Sequence, residues 1–98
     1  MKVAIAGAGK VGKSIARELA GIGHDVLLID RDAVLVEKSR IEGVDIVKAD
    51  ACEMASLDLV GLEHCQVVVA ATGDDKVNLV VSLLAKTEYG VPRVVARV

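Results

Sequence analysis

Aromatic side chains are almost absent from this sequence, which contains one tyrosine and neither phenylalanine nor tryptophan. The chain therefore has no set of rings on which nucleic-acid bases could stack, and its net charge of −2 gives no general attraction for polyanions. Long uncharged apolar runs are also missing, since no stretch approaches the ~18 residues that a membrane-spanning helix needs. These absences predict a protein that neither binds nucleic acid nor inserts into a membrane.

Cysteine is scarce too, with only Cys52 and Cys65 present. They lack the CxxC spacing and the companion ligands of a metal site, so we expect no metal, no disulfide and two small apolar filler side chains. The N-terminal apolar run is interrupted by Gly7, Gly9 and Lys10, which argues against a signal segment. We therefore expect a cytoplasmic location.

Short apolar runs alternate with helical patterns along the whole chain. Strands are predicted at residues 3–6, 26–29, 44–48, 67–71 and from 94, and helices at residues 11–21, 32–43, 53–62 and 77–88. Strands that alternate with helices at this spacing pair in parallel through crossover helices. The first, second and fourth strands are the most apolar and should be central, whereas the third and fifth carry charges and should be edges. We therefore predict an α/β fold, a doubly wound parallel sheet of the Rossmann-like type with strand order 3-2-1-4-5.

The two longest helical patterns carry apolar side chains that we assign to faces by their spacing. In the first helix the side chains expected to face the sheet are Val11, Ile15 and Leu19. In the last helix they are Val77, Val80, Val81 and Leu84. Leu79 and Leu83 fall on another side of the last helix, where either neighbouring elements or a second protein must cover them.

A glycine-rich turn, Gly7-Ala8-Gly9-Lys10-Val11-Gly12, joins the first strand to the first helix. In such a turn the first glycine permits the tight bend, the second lets the backbone approach a pyrophosphate, and the third lets helix and strand pack closely. The N–H groups at the helix start then face the phosphates with the positive end of the helix dipole. Asp30 ends the second strand, close to the ~20 residues past the glycines at which a carboxylate binds ribose hydroxyls. The pattern predicts an adenine-nucleotide site, and the alternative of a purely structural turn leaves Asp30 unexplained.

Charged neighbours leave the kind of nucleotide open. Lys10 either reaches a terminal phosphate, so that ATP or ADP fits as well as NAD or NADH, or is solvated. Lys13 is expected on a solvated helix face. Arg31 either lies over the adenine, meets a 2′-phosphate or points into water, whereas the Asp30 carboxylate repels a 2′-phosphate and argues against NADP.

Two further stretches follow strands at the edge where ligands bind in such sheets. Ala49, Asp50 and Ala51, after the third strand, are expected to border the adenine. Thr72 and Gly73, after the fourth strand, offer a hydroxyl and exposed backbone near the phosphates. Asn78 is expected to bind the backbone of this loop. The residues expected to cap the following helix are Asp74 and Asp75.

These residues favour binding over catalysis. His24 and His64 are expected on turns outside the crevice, and no Cys, Lys or Tyr stands in a recognisable catalytic motif. The alternative is the NAD-binding half of an NAD-dependent dehydrogenase. That alternative explains the glycines and Asp30 equally well, but it needs another domain to supply a base.

Several stretches together resemble the RCK domain (regulator of conductance of potassium), also called KTN or TrkA-N. They are Gly-Ala-Gly-Lys-Val-Gly-Lys-Ser at 7–14, Gly-His-Asp-Val at 23–26 leading to Asp30, Ala-Asp-Ala at 49–51, Gly-Leu at 61–62, Ala-Thr-Gly-Asp-Asp at 71–75 with Asn78, and Val-Ala-Arg-Val at 95–98. The resemblance covers the whole chain. It implies that residues 1–98 form the nucleotide-binding N-terminal lobe, without the helix and C-terminal lobe that usually follow. Cys52 departs from the family, in which a small hydroxylated residue is usual.

The resemblance implies a cytoplasmic, nucleotide-sensing regulatory domain, peripheral to the plasma membrane through a potassium transporter or channel subunit. Such domains bind NAD(H), ATP or ADP and form homodimers or larger rings. Control of ion flux would be allosteric, because different nucleotides would favour different geometries. In the resemblance, the glycine turn surrounds the phosphates, Asp30 holds the ribose, and the adenine lies near Arg31 and Asp50. The predicted binding residues are Gly7, Ala8, Gly9, Lys10, Val11, Gly12, Asp30, Arg31, Asp50, Ala51, Thr72 and Gly73.

Overall fold

Five parallel strands form the centre of the structure, a computed structural model that describes residues 1–96. The strands are β1 (Lys2–Ala6), β2 (Asp25–Asp30), β3 (Val44–Lys48), β4 (Val67–Ala70) and β5 (Arg93–Ala96). Their order is β3-β2-β1-β4-β5, which confirms the predicted sheet. The expected flanking residue of the last strand, Arg97, and Val98 lie outside the described residues.

The central strands owe their apolar composition to their position between two layers of helices. β1 pairs with both β2 and β4, so that Val3 lies opposite Val26 on one side and Val67 on the other. All four residues 3–6 are buried, whereas the edge strand β3 exposes Asp45 and Lys48. A parallel strand that is covered on both faces needs apolar side chains at every position, and an edge strand does not.

Helices cover both faces of the sheet within the described part of the chain: α1 (Lys10–Gly21), α2 (Ala33–Lys38), α3 (Met54–Val60) and α4 (Asp75–Thr87). α1 and α2 pack on one face, in a core that includes Ile5 and Leu28. α3, a 3₁₀ turn at Leu62–His64 and α4 pack on the other face, around Leu57 and Val81. Among residues 1–96, no helix has both the length and the apolar composition to span a membrane.

α1 turns a different face to the sheet from the one expected. Gly12 and Ala16 are its buried residues, Ile15 and Leu19 are half-buried against the core, and Val11 is 38% exposed. The prediction for Val11 was therefore wrong. Because Gly12 and Ala16 are small, the helix axis lies close to the strands, and this stripe rather than the larger side chains makes the closest contact.

α2 is shorter than expected. Asp32 caps it as predicted, since its carboxylate accepts a hydrogen bond from the Val34 N–H at 2.9 Å. The helix ends at Lys38, however, and the prediction that it continues to Gly43 was wrong. The chain instead turns so that Ile41 packs against the core and its carbonyl oxygen accepts from the Val44 N–H at 3.1 Å.

α4 is rotated relative to the expected core face. Its buried residues are Asn78, Val81 and Ala85, while Val80, expected to be buried, is exposed. The rotation brings the Asn78 amide to the loop before the helix, the contact that the sequence predicted for it. Leu79 and Leu83 are 61% and 54% exposed, so neighbouring elements of the described chain do not cover them.

Candidate functional site

The carboxyl ends of the four strands β1–β4 meet at one edge of the sheet. Backbone hydrogen bonds continue past the strand ends: the Gly7 N–H donates to the Ile29 carbonyl oxygen at 2.8 Å, and the Ala71 N–H donates to that of Ala6 at 2.8 Å. The Ala49 N–H likewise donates to the Asp30 carbonyl oxygen at 3.0 Å. The loops that follow these strands therefore open from a common edge, the place where ligands bind in doubly wound sheets.

Two of the glycines in the turn after β1 are required by the fold itself. Gly7 has φ +116°, and an added Cβ would lie 2.7 Å from the Ala71 carbonyl oxygen. A Cβ at Gly12 would overlap the Gly7 carbonyl oxygen. A side chain at either position would strain the backbone or separate α1 from the sheet.

Gly9 differs from both of them. Its φ is −76°, a value that any residue adopts, and nothing lies within 4 Å of an added Cβ. Gly9 is the N-cap of α1 and supplies no side-chain acceptor, so the first N–H groups of the helix have no capping partner. Gly73 resembles Gly9 in one respect, because an added Cβ at Gly73 would also meet nothing within 4 Å.

The Asp30 carboxylate holds the glycine turn in place. One oxygen accepts from the Ala8 N–H at 2.9 Å, and the other accepts from the Asp32 N–H at 2.8 Å. Each carboxylate oxygen offers two lone pairs, so each keeps capacity for one more donor. Asp30 can therefore accept two hydroxyl groups while it continues to fix the turn.

Asn78 organises the loop after β4, as predicted. Its Oδ1 accepts from the Thr72 N–H at 2.9 Å and from the Thr72 hydroxyl at 2.7 Å, and its Nδ2 donates to the Thr72 carbonyl oxygen at 3.1 Å. Asp74 caps α4 by accepting from the N–H groups of Lys76 and Val77. The Thr72 hydroxyl donates its hydrogen to Asn78 and therefore stabilises the loop itself. Gly73, which has no side chain, exposes its backbone to the crevice.

These loops enclose a crevice made of two adjoining spaces. The first, of about 280 Å³, is lined by Gly7, Ile29, Asp30, Arg31, Ala49, Asp50, Ala51, Thr72, Gly73, Asp74 and Val77. The second, of about 410 Å³, is lined by Gly7, Gly9, Lys10, Val11, Asp30, Leu35, Ala71, Thr72 and Gly73. They share Gly7, Asp30, Thr72 and Gly73, and are therefore the two halves of one crevice.

The crevice contains every predicted binding residue except Ala8 and Gly12. The Ala8 side chain is buried in the core and its N–H is engaged by Asp30, while Gly12 packs beneath the turn. Sequence reasoning missed Asp74 and Val77, which it had assigned to a helix cap and to the core. It also missed the lining residues Ile29, Leu35 and Ala71, whereas Ala49 lines the crevice where the sequence placed it.

Charge divides the two halves of the crevice. The 280 Å³ half carries three carboxylates, Asp30, Asp50 and Asp74, and the single guanidinium of Arg31. The other half shares the Asp30 carboxylate at its border and adds Lys10 and the start of α1. An anionic group is favoured at the second half by the helix dipole and the lysine, whereas the first half suits neutral hydrogen-bond donors.

Cys52 lies beside the rim of this crevice and is exposed, so its prediction as a buried filler was wrong. Its N–H donates to an Asp50 carboxylate oxygen at 2.8 Å. Partial burial and the Asp50 carboxylate raise the pKa of the Cys52 thiol. Cys65 is buried in the core as expected. Within the described residues, no three His, Cys, Asp or Glu side chains come together as metal ligands would.

The chain that carries this crevice matches a known protein family. The family model of the TrkA-N domain matches residues 3–98. The chain belongs to the TrkA-N domain family. This confirms the resemblance that the sequence motifs indicated.

Individual relatives of this TrkA-N domain include a potassium uptake protein. The chain is 57% identical over 98 residues to the Trk system potassium uptake protein TrkA of Mycobacterium tuberculosis, matching 100% of this chain and 44% of that protein. The TrkA-N domain described here therefore spans less than half the length of this relative.

Solved structures share the fold. The AMP-bound Kef CTD of Shewanella denitrificans has a TM-score of 0.84 and 25% identity, with 99% of this chain and 58% of that one covered. The UDP-glucose 4-epimerase of Thermus thermophilus in complex with NAD has a TM-score of 0.78 and 21% identity, with 96% of this chain and 36% of that one covered. The second likeness concerns the fold alone.

Proposed function

We propose that this TrkA-N domain binds an adenine nucleotide in the crevice and acts as a nucleotide-sensing regulatory domain of a potassium transport system. The observation that carries the proposal is the difference between the glycines. The fold needs Gly7 and Gly12 to lack side chains, but it does not need this of Gly9. The free space over Gly9, at an uncapped helix start, suits a phosphate group that approaches the backbone closely.

The charge division of the crevice orients the nucleotide. Its phosphates lie at the start of α1, where the N–H groups of Gly9 to Val11 and the Lys10 ammonium attract them. Its ribose hydroxyls donate to the remaining lone pairs of Asp30, and its adenine lies between Arg31 and the Asp50-Ala51 segment. Gly73 closes the other side with backbone alone. A 2′-phosphate would meet the Asp30 carboxylate, so NADP is disfavoured relative to NAD.

The ligand is an adenine nucleotide in one of several forms: NAD or NADH, or alternatively ATP or ADP. All of them contain the adenosine 5′-phosphate unit that occupies the two halves of the crevice. The AMP-bound state of the Kef CTD, 25% identical to this chain, supports that unit as the shared ligand. A nucleotide regulates only if it binds two conformations with different affinity.

The regulated partner is a membrane-embedded potassium transporter or channel subunit, and the domain acts from the cytoplasmic side as a homodimer or larger ring. The name of the Mycobacterium tuberculosis relative supports the connection with potassium uptake. The exposed Leu79 and Leu83 of α4 are the surface that we assign to a second subunit.

Binding rather than catalysis is the proposed role, although enzymes such as the epimerase share the fold. His24 precedes β2 and His64 precedes β4, so both lie at the amino ends of the strands. The crevice opens at the carboxyl ends. Neither histidine is therefore placed to act as a base on a ligand in the crevice.

Isothermal titration calorimetry of the 98-residue chain with AMP, ADP, ATP, NAD, NADH and NADP tests the proposal. An Asp30→Asn variant keeps one carbonyl oxygen for the turn but loses the charge that binds the ribose. Loss of charge-assisted hydrogen bonds should weaken binding about tenfold or more. The matched control, Asp45→Asn, removes the same charge from exposed β3 and should bind like the unmodified protein.

Thermal melts of both variants show whether Asp30→Asn still folds. If no nucleotide binds the unmodified chain, or if the Asp30 and Asp45 variants bind equally well, the crevice is not the nucleotide site.

A further inference from the structure

α2 is held to the rest of the molecule by its ends as well as by Leu35, which packs against the core. It has six residues, none of them buried, and Val34 on its surface is exposed. So short a helix is not stable on its own. Its position therefore also depends on the contacts made by Asp32, just before it, and by Ser39, just after it.

Both of these contacts lead to Ala8 in the glycine turn. At the start of α2, the Asp32 N–H donates to Asp30, whose other oxygen accepts from the Ala8 N–H. At the end of α2, the Ser39 hydroxyl donates to the Ala8 carbonyl oxygen. The N–H and the carbonyl of one residue in the turn are thus tied to the two ends of one helix.

Ser39 is a notable residue to find at the second contact, because it is only 1% exposed. A buried hydroxyl without a partner destabilises the folded protein, so a serine in an apolar core needs an acceptor. The Ala8 carbonyl oxygen is the acceptor that the fold supplies, at 3.4 Å, which is long for a hydroxyl hydrogen bond. The sequence did not predict this contact, because Ser39 was expected to lie inside a helix that continues to Gly43.

The orientation of the Ala8 carbonyl also fixes the orientation of the Gly9 N–H, because both groups belong to the same peptide bond. The Ala8 carbonyl and the Gly9 N–H belong to one trans peptide plane and point in opposite directions. If Ser39 holds the carbonyl toward the core, the Gly9 N–H must point away from Ser39. Gly9 is exposed and lines the half of the crevice that also contains Lys10.

We propose that Ser39 is a positioning residue for phosphate recognition, acting through the Ala8–Gly9 peptide. Its buried hydroxyl holds that peptide in the orientation in which the Gly9 N–H, and not the Ala8 carbonyl, faces an anionic ligand. Without the hydroxyl the peptide can rotate, and the carbonyl oxygen would then repel a phosphate at the same place. The inference rests on the proposed nucleotide site and names a residue that does not line it.

The test compares AMP with adenosine, which lacks the phosphate. In a Ser39→Ala variant, AMP should bind about fivefold to tenfold more weakly, since one neutral hydrogen bond no longer orients the donor. Adenosine binding should not change. A purely structural role would weaken both ligands together, and so would Val91→Ala, a control that removes buried volume on the opposite face of the sheet. A Ser39→Thr variant keeps the hydroxyl and should restore the preference for AMP if it folds.

A second readout needs no ligand. NMR relaxation dispersion at the Gly9 amide should detect microsecond-to-millisecond exchange in Ser39→Ala that is absent from the unmodified chain and from Val91→Ala. Equal weakening of AMP and adenosine, or a Gly9 amide that is as quiet in Ser39→Ala as in the unmodified chain, would overturn the proposal. Failure of AMP to bind the unmodified chain would instead refute the nucleotide site, and the NMR result alone would then decide whether Ser39 orients the turn.

Discussion

Two pairs of glycines surround the crevice, and they are glycine for different reasons. Gly7 and Gly12 lie where a Cβ would overlap or crowd neighbouring backbone, and Gly7 also has a positive φ. Gly9 and Gly73 face open space, and neither has a positive φ. The comparison teaches that the fold accounts for two of these glycines but not for the other two, for which the proposed ligand supplies a reason. Spacing in the sequence does not separate the two kinds, whereas the geometry does.

The largest effect is expected from an alanine at a position that the fold requires. Gly12→Ala places a Cβ against the Gly7 carbonyl oxygen and should lower the free energy of unfolding by about 3 kcal/mol or more. Urea denaturation measures this loss. Gly21→Ala is the matched control, because it lies in the same helix with nothing within 4 Å of its added Cβ. Equal stability of the two variants would show that α1 does not pack on the turn as described.

A smaller loss of stability is expected when the Asn78 side chain, which holds the loop beside the crevice, is removed. Asn78→Ala leaves the N–H and carbonyl of Thr72 without their partners and should destabilise the protein by about 2 kcal/mol. The Gly73 backbone should then lose its fixed position, so nucleotide binding should weaken as well. Ser82→Ala in the same helix removes a hydroxyl that bonds only within α4, at 2.6 Å to the Asn78 carbonyl oxygen, and should have little effect on binding. If Ser82→Ala impaired binding as much as Asn78→Ala, the Thr72–Asn78 contacts would not be what holds Gly73.

The smallest effect concerns the reactivity of Cys52 at the rim. Because its pKa is raised, less of the thiol is ionised at pH 8 in the folded protein than in the unfolded chain. Alkylation by iodoacetamide should therefore be slower when the protein is folded, and its rate should rise as the pH passes 9 and the reactive thiolate forms. Mass spectrometry follows the modification, with buried Cys65 as the internal control that reacts only on unfolding.

Bound AMP should slow the reaction of Cys52 further in the unmodified chain but not in Gly9→Ala. A reaction rate at pH 8 that is higher in the folded protein than in urea would contradict the raised pKa.

The fold could be predicted from the sequence because its strands are set apart by composition. Residues 3–6 and 67–70 are apolar at every position, which two covered faces require, and the charges of β3 mark it as an edge. The predicted binding residues that line the crevice followed from the same topology, since ligands in doubly wound sheets bind where the strands end. Predictions of which residues face inward on the helices were less successful, because they assumed that the largest apolar side chains face the core.

Polar contacts and the close packing of small residues explain the remaining differences. α4 is rotated to bring Asn78 to Thr72, which exposes Val80. α1 is drawn toward the sheet at Gly12 and Ala16, which exposes Val11. The end of α2 and the burial of Ser39 depend on a contact with Ala8, which is distant in the sequence. Hydrophobic periodicity carries no signal for such contacts, because they depend on small residues or on single polar groups that meet across the fold.

The most direct test of the account is the affinity of Gly9→Ala for AMP, measured by calorimetry beside Gly21→Ala. Both variants add one methyl group in open space of the same turn and helix, so both should unfold within about 1 kcal/mol of the unmodified protein. Only the methyl group at Gly9 lies where the proposed phosphate would approach. The account predicts that Gly9→Ala loses AMP affinity about tenfold or more while Gly21→Ala retains it. Equal AMP affinity in the two folded variants would contradict it, because the space over Gly9 would then not be kept for a ligand.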